Sequence, residues 1–194
     1  MDYARKRNLN TRPHAPRRKS GKAKIILVAI LATGVLFFAL RYGWREMRFR
    51  YIVIHHTASD YGNLEYYRKM HMEERGWPDV AYHFIINNGT SNTAMGQIEE
   101  SSLWKNRSIH YSTKRTLINY LGIAVVLVGN FENHSVPSMQ YESLVNLVVR
   151  LSREYGIPPE RIYGHREIWS TACPGKNLNM QNLRADVARA LTEN

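Results

Sequence analysis

The chain has 194 residues, enough for one domain and an extension, and a formal charge of +11 that would suit a nucleic-acid binder if a folded body carried it. Residues 1–24 hold nine Lys/Arg against one acid and residues 41–50 four Arg against one Glu, whereas from Tyr51 onward fourteen basic residues meet fourteen acidic ones. The basicity brackets one short segment and leaves the body neutral, which argues against a phosphate-binding face and predicts no nucleic-acid partner.

Residues 1–24 contain Pro13, Pro16, Gly21 and several Asn with little to bury, and read as an unstructured basic tail. The bracketed segment, Ile25 to Leu40, reads IILVAILATGVLFFAL without a charge. Its sixteen residues fall just under the ~17–25 of a spanning helix, but Lys24 and Arg41 can snorkel and Tyr42 and Trp44 can sit at the interface. No polar face exists at a helical period, which disfavours a buried helix of a soluble protein. A cleaved signal peptide would end its apolar run in a small-x-small site, whereas this one ends in Phe37-Phe38-Ala39-Leu40-Arg41. The segment 25–44 is therefore expected to be an uncleaved transmembrane anchor. Nine basic residues before it against four after it predict a cytoplasmic N-terminus, with residues 45–194 outside the cell membrane.

Beyond the anchor, Arg50 to His56 reads as a buried strand that ends in polar His-His-Thr. Leu64 to Arg75 has helical periodicity and stops at Gly76-Trp77-Pro78. Ala81 to Asn87 is a second strand, and Asn88-Gly89 after it is a hairpin-type turn. Leu121 to Phe131 is a β-branched run suited to a central strand. Ser138 is expected to cap a helix whose Tyr141, Leu144, Leu147, Val148 and Leu151 form one apolar stripe, ended by Gly156-Ile157-Pro158. Arg161 to Gly164 reads as a short strand and Leu178 to Leu191 as a terminal helix. Strands separated by helices predict a single layered α/β domain of about 140 residues, with a central mixed sheet flanked by helices.

Two places in this frame carry chemistry. Tyr51-Ile-Val-Ile-His55-His56-Thr57 delivers histidine to the end of a strand. Far downstream, His165-Arg-Glu-Ile-Trp-Ser-Thr-Ala-Cys173-Pro174-Gly175 sets an imidazole and the only thiol of the chain eight residues apart. Two histidines and a cysteine would leave tetrahedral Zn2+ one open position, which separates a hydrolytic zinc from a structural one. Thiolate donation disfavours magnesium and calcium. A lone thiol in an exported domain has no partner for an internal disulfide, and metal coordination would give it one.

The stretches YIVIHHTA, MHMEERGWPDVAYHFII, VVLVGNF and YGHREIWSTACPGKNL, in that order and spacing, resemble the zinc-dependent N-acetylmuramoyl-L-alanine amidase family, which includes phage amidase-type lysozymes and animal peptidoglycan recognition proteins. The resemblance runs from about residue 50 to about residue 180. It implies His55, His165 and Cys173 as metal ligands, with His56 on the opposite side of the strand. It implies Tyr82 beside the metal as a catalytic residue that orients water or donates to an oxyanion. Thr171 stands where phage enzymes have lysine and many animal recognition proteins have threonine, so it would supply a neutral donor instead of a positive charge. A related subgroup places a glutamate base on the central strand, where this chain has Val126. The resemblance implies that His110 lines the substrate groove; Asn130, after Gly129, is expected to turn toward it, and His71 and His83 are assigned to packing. Glu99 and Glu100 are expected in a solvated loop.

The resemblance thus implies zinc-assisted hydrolysis of the amide between N-acetylmuramic acid and L-alanine in peptidoglycan stem peptides, by a domain held outside the membrane. A non-catalytic peptidoglycan-binding receptor is the alternative, though such receptors typically lose the cysteine ligand that is present here.

Overall fold

A computed structural model describes residues 21–193. The expected unstructured tail lies outside them except for Gly21 to Lys24, which form the first turn of a helix instead. The chain divides into two bodies, Met1–Arg41 and Tyr42–Asn194. The helix, α1 (Gly21–Met47), begins four residues before the apolar run. Its stretch Gly21–Gly43 contains an 18-residue window with a mean hydropathy of 2.5 and is long and apolar enough to cross a membrane. At ~1.5 Å per residue its 23 residues span about 35 Å, more than a hydrocarbon core of ~30 Å.

The body is a five-stranded mixed sheet in the order β3-β2-β4-β1-β5. Strands β2 (Phe84–Asn88), β4 (Gly122–Leu127), β1 (Tyr51–His56) and β5 (Ile162–Gly164) run parallel. Strand β3 (Met95–Glu100) closes one edge antiparallel to β2. The expected α/β class holds. The strand MGQIEE has no apolar alternation by which to read it, because as an edge strand it buries only Gly96. That strand corrects the placement of Glu99 and Glu100. Glu99 is not in a solvated loop, since its Oε2 accepts from Leu64 N and Asn87 Nδ2, each at 2.9 Å. Glu100 lies 3.8 Å from the Arg150 guanidinium.

Alternate residues of the central strands enter different surroundings. Ile52, Ile54, Ile123, Val125 and Leu127 join Leu144, Leu147, Val148 and Leu151 of α5 (Ser138–Tyr155) and Leu183 and Val187 of α7 (Met180–Thr192) in the main core. Val126 and Val128 join Tyr67, Val80 and Ile85 in a smaller cluster covered by α2 (Leu64–Arg75). The stripe predicted for α5 is therefore the one that packs. Its start differs from expectation: Ser138 is the first helical residue, after Pro137, and supplies no cap. Asn63 caps α2 by accepting from Tyr66 N, and Asn179 caps α7 by accepting from Gln181 N and Asn182 N. Two short helices had no sequence expectation, α3 (Ser102–Lys105) and α4 (Thr116–Leu121). A four-residue helix, α6 (His165–Ile168), follows β5 directly.

Candidate metal centre and cleft

The parallel strands all point their carboxyl ends toward one rim, the place where open α/β sheets gather ligands. His55 and His56 are the last two residues of β1, and pairing fixes them beside Val126 and Leu127 of β4. The pleat then sends them to opposite faces. His55 comes out on the side of Val126, in the smaller cluster, while His56 turns toward Phe131, whose N–H it receives on Nδ1 at 3.2 Å. His165 follows β5 without a loop. Glu167 pins that junction by accepting from Gly164 N at 2.7 Å, and Arg184 of α7 holds the Glu167 carboxylate with two bonds of 3.0 Å.

Cys173 reaches the same place from the loop after α6. Its carbonyl accepts from Arg166 N at 2.8 Å, and Asn177 N donates to Phe131 O at 3.0 Å, so the loop is stitched to both α6 and the segment that follows β4. Gly175 is required in that loop. It has φ +97°, and a Cβ there would come within 2.5 Å of the Phe131 backbone. Among the described residues, one group of possible ligands forms: His55, His165 and Cys173, each offering an atom within 4.8 Å of the others.

Cys173 Sγ lies 3.6 Å from His55 Nδ1. A tetrahedral ion with zinc bonds of ~2.0–2.3 Å separates its nitrogen and sulfur ligands by about 3.5 Å, so this spacing already fits one edge of the polyhedron. The His165 ring is 4.6 Å from that of His55, and its Nε2 is buried with no hydrogen-bond partner. A buried ring nitrogen left without a partner costs free energy unless something else takes it, and a cation would. Burial, followed by the neighbouring His165, lowers the pKa of His55 well below the usual histidine range; burial lowers that of His165 too. Both rings are therefore neutral at pH 7, as ligation requires. Burial pushes the Cys173 thiol up to about 12, a cost to the thiolate that an adjacent cation would reverse. The donor set thus fits zinc in number, chemistry and spacing.

The three side chains line a cleft of 340 Å³ together with Thr57, Tyr82, Arg75, Trp77, Ser112 and Thr171. A second cleft of 390 Å³ shares Arg75, Trp77, Ser112, His165 and Thr171 and adds Lys114 and Trp169. The Tyr82 ring lies 5.3 Å from that of His55. Burial raises the pKa of its hydroxyl, which stays protonated and able to donate. The Thr171 hydroxyl accepts from Cys173 N at 3.3 Å, leaving its own proton to offer. Among the described residues no Asp or Glu lines either cleft, in keeping with Val126 beside His55.

Two expected groove residues lie elsewhere. His110 is fully buried behind the cleft, its Nδ1 2.9 Å from Ser112 Oγ, so it cannot touch a substrate. Asn130 lines neither cleft. Its N–H donates to Asp60 Oδ1 at 2.8 Å and its own Oδ1 accepts from Glu132 N, because the chain turns back after Gly129 to reach Phe131. His71 and His83 pack as expected, each accepting a backbone N–H on Nδ1 at 3.1 Å, from Ala81 and Ala124. Conversely, Arg75, Trp77, Ser112, Lys114 and Trp169 were not singled out from the sequence. Arg75 and Trp77 read there only as a helix end. Arg75 lies 5.1 Å over the Trp77 ring and Lys114 5.3 Å over that of Trp169, giving the walls two cation–π pairs.

A mixed five-stranded sheet flanked by helices, with two histidines and a cysteine gathered at its carboxyl rim, is the amidase fold. The chain belongs to the N-acetylmuramoyl-L-alanine amidase family, whose model matches residues 45–176. Peptidoglycan-recognition protein SC2 of Drosophila melanogaster is 30% identical over 137 residues, covering 66% of this chain and 69% of its own. Peptidoglycan recognition protein 1 of Mus musculus is 28% identical over 170 residues, covering 76% and 87%. Among solved structures, the N-acetylmuramoyl-L-alanine amidase LysC from Clostridium intestinale URNW superposes with a TM-score of 0.59 at 25% identity, covering 74% of this chain and 87% of that one.

Proposed function

We propose that the domain hydrolyses the amide between N-acetylmuramic acid and the L-alanine of peptidoglycan stem peptides, with zinc held by His55, His165 and Cys173. The convergence of these three donors on one open cleft carries the reading. Bound there, zinc supplies Lewis-acid polarisation of the scissile carbonyl and activation of a water. The remaining work falls to the cleft itself. Tyr82, kept protonated by burial, donates to the carbonyl oxygen as negative charge develops on it. Thr171, in the same lining, offers a second, neutral donor. Arg75 and Lys114 give the walls positive charge that no carboxylate in the lining offsets, which suits a substrate carrying carboxylates. Helix α1 anchors the domain in the cytoplasmic membrane with residues from 45 onward outside, on the side where peptidoglycan lies.

The competing role, peptidoglycan capture without cleavage, shares the fold but has no use for a thiolate ligand. Incubating the full-length protein in detergent with purified cell wall and following release of stem peptides by mass spectrometry separates the two. Release that stops on adding a chelator and returns with zinc is the expected result. Binding to the wall without release would overturn the enzymatic reading.

A further inference from the structure

Behind His55 lies an arrangement that the hydrolytic reading does not use. Ser112 Oγ sits 2.9 Å from His55 Nε2 and 2.9 Å from His110 Nδ1. A serine hydroxyl has one proton, so it can donate to one ring only. The direction follows from the backbone: Ser112 N–H also donates to His110 Nδ1, at 3.4 Å, which makes that nitrogen an acceptor. With no hydrogen on His110 Nδ1, the short contact between it and Ser112 Oγ must be an O–H···N bond from the serine. Its proton spent, Oγ can only accept from His55, so His55 carries its hydrogen on Nε2. The lone pair is then left on Nδ1, the nitrogen that faces Cys173 Sγ.

The surroundings hold this chain of bonds in place. His110 is fully buried, and burial keeps its pKa well below the usual range, so the ring is neutral and its Nδ1 free to accept. It fits only because residue 122 is glycine: a Cβ there would lie 2.9 Å from His110 Nε2 and 2.5 Å from Ile118 O. The Ser112 loop is fixed on both sides. Tyr111 N donates to Ala81 O at 3.1 Å, and Asn119 clamps Thr113 by accepting from its N–H and hydroxyl and donating to its carbonyl.

We propose that Ser112, backed by His110, is a positioning residue that fixes the tautomer and orientation of His55 so that Nδ1 is presented to the metal. Partners on the far side of a ligating imidazole set which nitrogen is free and how the ring is aimed. The proposal rests on the zinc centre described above and adds to it a determinant of affinity that is not itself a metal ligand. It also accounts for the buried His110, which lines no part of the cleft.

The test uses the full-length protein in detergent, as wild type, Ser112→Ala and Ser112→Thr. In the metal-free wild type, nitrogen-15 spectra of labelled histidines should show His55 as the Nε2–H tautomer, and the Ser112→Ala variant should show a mixture of tautomers. Competition against a chelator should show Zn2+ bound ~10–100-fold more weakly by Ser112→Ala, with Ser112→Thr near wild type because it keeps the hydroxyl. Co2+ should give a thiolate charge-transfer band in all three, at higher Co2+ concentration in Ser112→Ala. An Nδ1–H tautomer for His55 in the wild type, or unchanged Zn2+ affinity in Ser112→Ala, overturns the positioning role while leaving the centre intact. A wild type that binds neither ion overturns the centre and the proposal with it.

Discussion

On one face of β1 and β4, Ile52, Ile54, Ile123, Val125 and Leu127 sink into a core built with α5 and α7; on the other, Val126 and Val128 join a smaller cluster with Tyr67, Val80 and Ile85, against which Leu64, Met70 and Tyr82 pack. The thick face is apolar up to its rim, where His56 accepts from Phe131 N. The thin face gives way at the carboxyl rim to His55, and beyond it to Tyr82, Ser112, His165 and Cys173 around open space. One backbone serves both, because the pleat alternates its side chains. The contrast teaches a division of labour: apolar burial on the thick side holds the strands in register, and the thin side spends that rigidity on aiming polar groups that would otherwise be free to turn away. The two faces should therefore fail differently when perturbed.

The largest effect belongs to the thin face. Cys173→Ser should lower stem-peptide release by more than ~10³-fold and abolish stoichiometric zinc, while the melting temperature of the metal-free protein moves little. Zinc retained at full stoichiometry would refute the ligand set. Leu147→Ala, on the thick face, should cost ~2–5 kcal/mol in denaturant unfolding, since Leu147 is 1% exposed and flanked by the core. Per folded molecule, its activity should match wild type; a selective loss of activity would mean that the faces are not separable.

Tyr82→Phe removes one donor and should reduce kcat by ~10²-fold with KM almost unchanged. A rise in KM alone would make Tyr82 a binding residue. Acid should act next. His71 and His83 are held to about 4 by burial, below the 6.5 of an unfolded histidine, so the unfolded chain takes up protons that the native one refuses. Their contribution is present in full above pH 6.5 and lost as pH falls toward 4. Chelator-treated protein should lose on the order of 1 kcal/mol per histidine by pH 5.5, read from urea unfolding. A flat profile between pH 7 and 5 would contradict it. The smallest effect is a gain: Thr171→Lys places a cation at the lip of the cleft and should raise kcat by up to about tenfold.

Much of this molecule was legible in the sequence because the controlling interactions are local or periodic. The apolar run at Ile25–Leu40, the stripe on α5, the β-branched run of β4 and the stop at Gly76 each follow from a pattern within a few residues. So does the opposite sense of His55 and His56, since a strand alternates. The edge strand β3 was not legible, having one buried residue out of six and no alternation. Neither was the N-terminus of α5, where a serine suited to capping stands one position inside the helix.

The sequence by itself determined which residues could ligate a metal, and the class of fold that would carry them. Tertiary structure alone decided how those residues are used. It set Cys173 Sγ beside His55 Nδ1 across 118 residues of chain, withdrew His110 from the groove, turned Asn130 toward Asp60, and brought in Ser112 and Arg75. The physical reason is that a side chain's direction is inherited from the strand or loop holding it, while its neighbours are chosen by packing between segments distant in sequence, which no local pattern encodes.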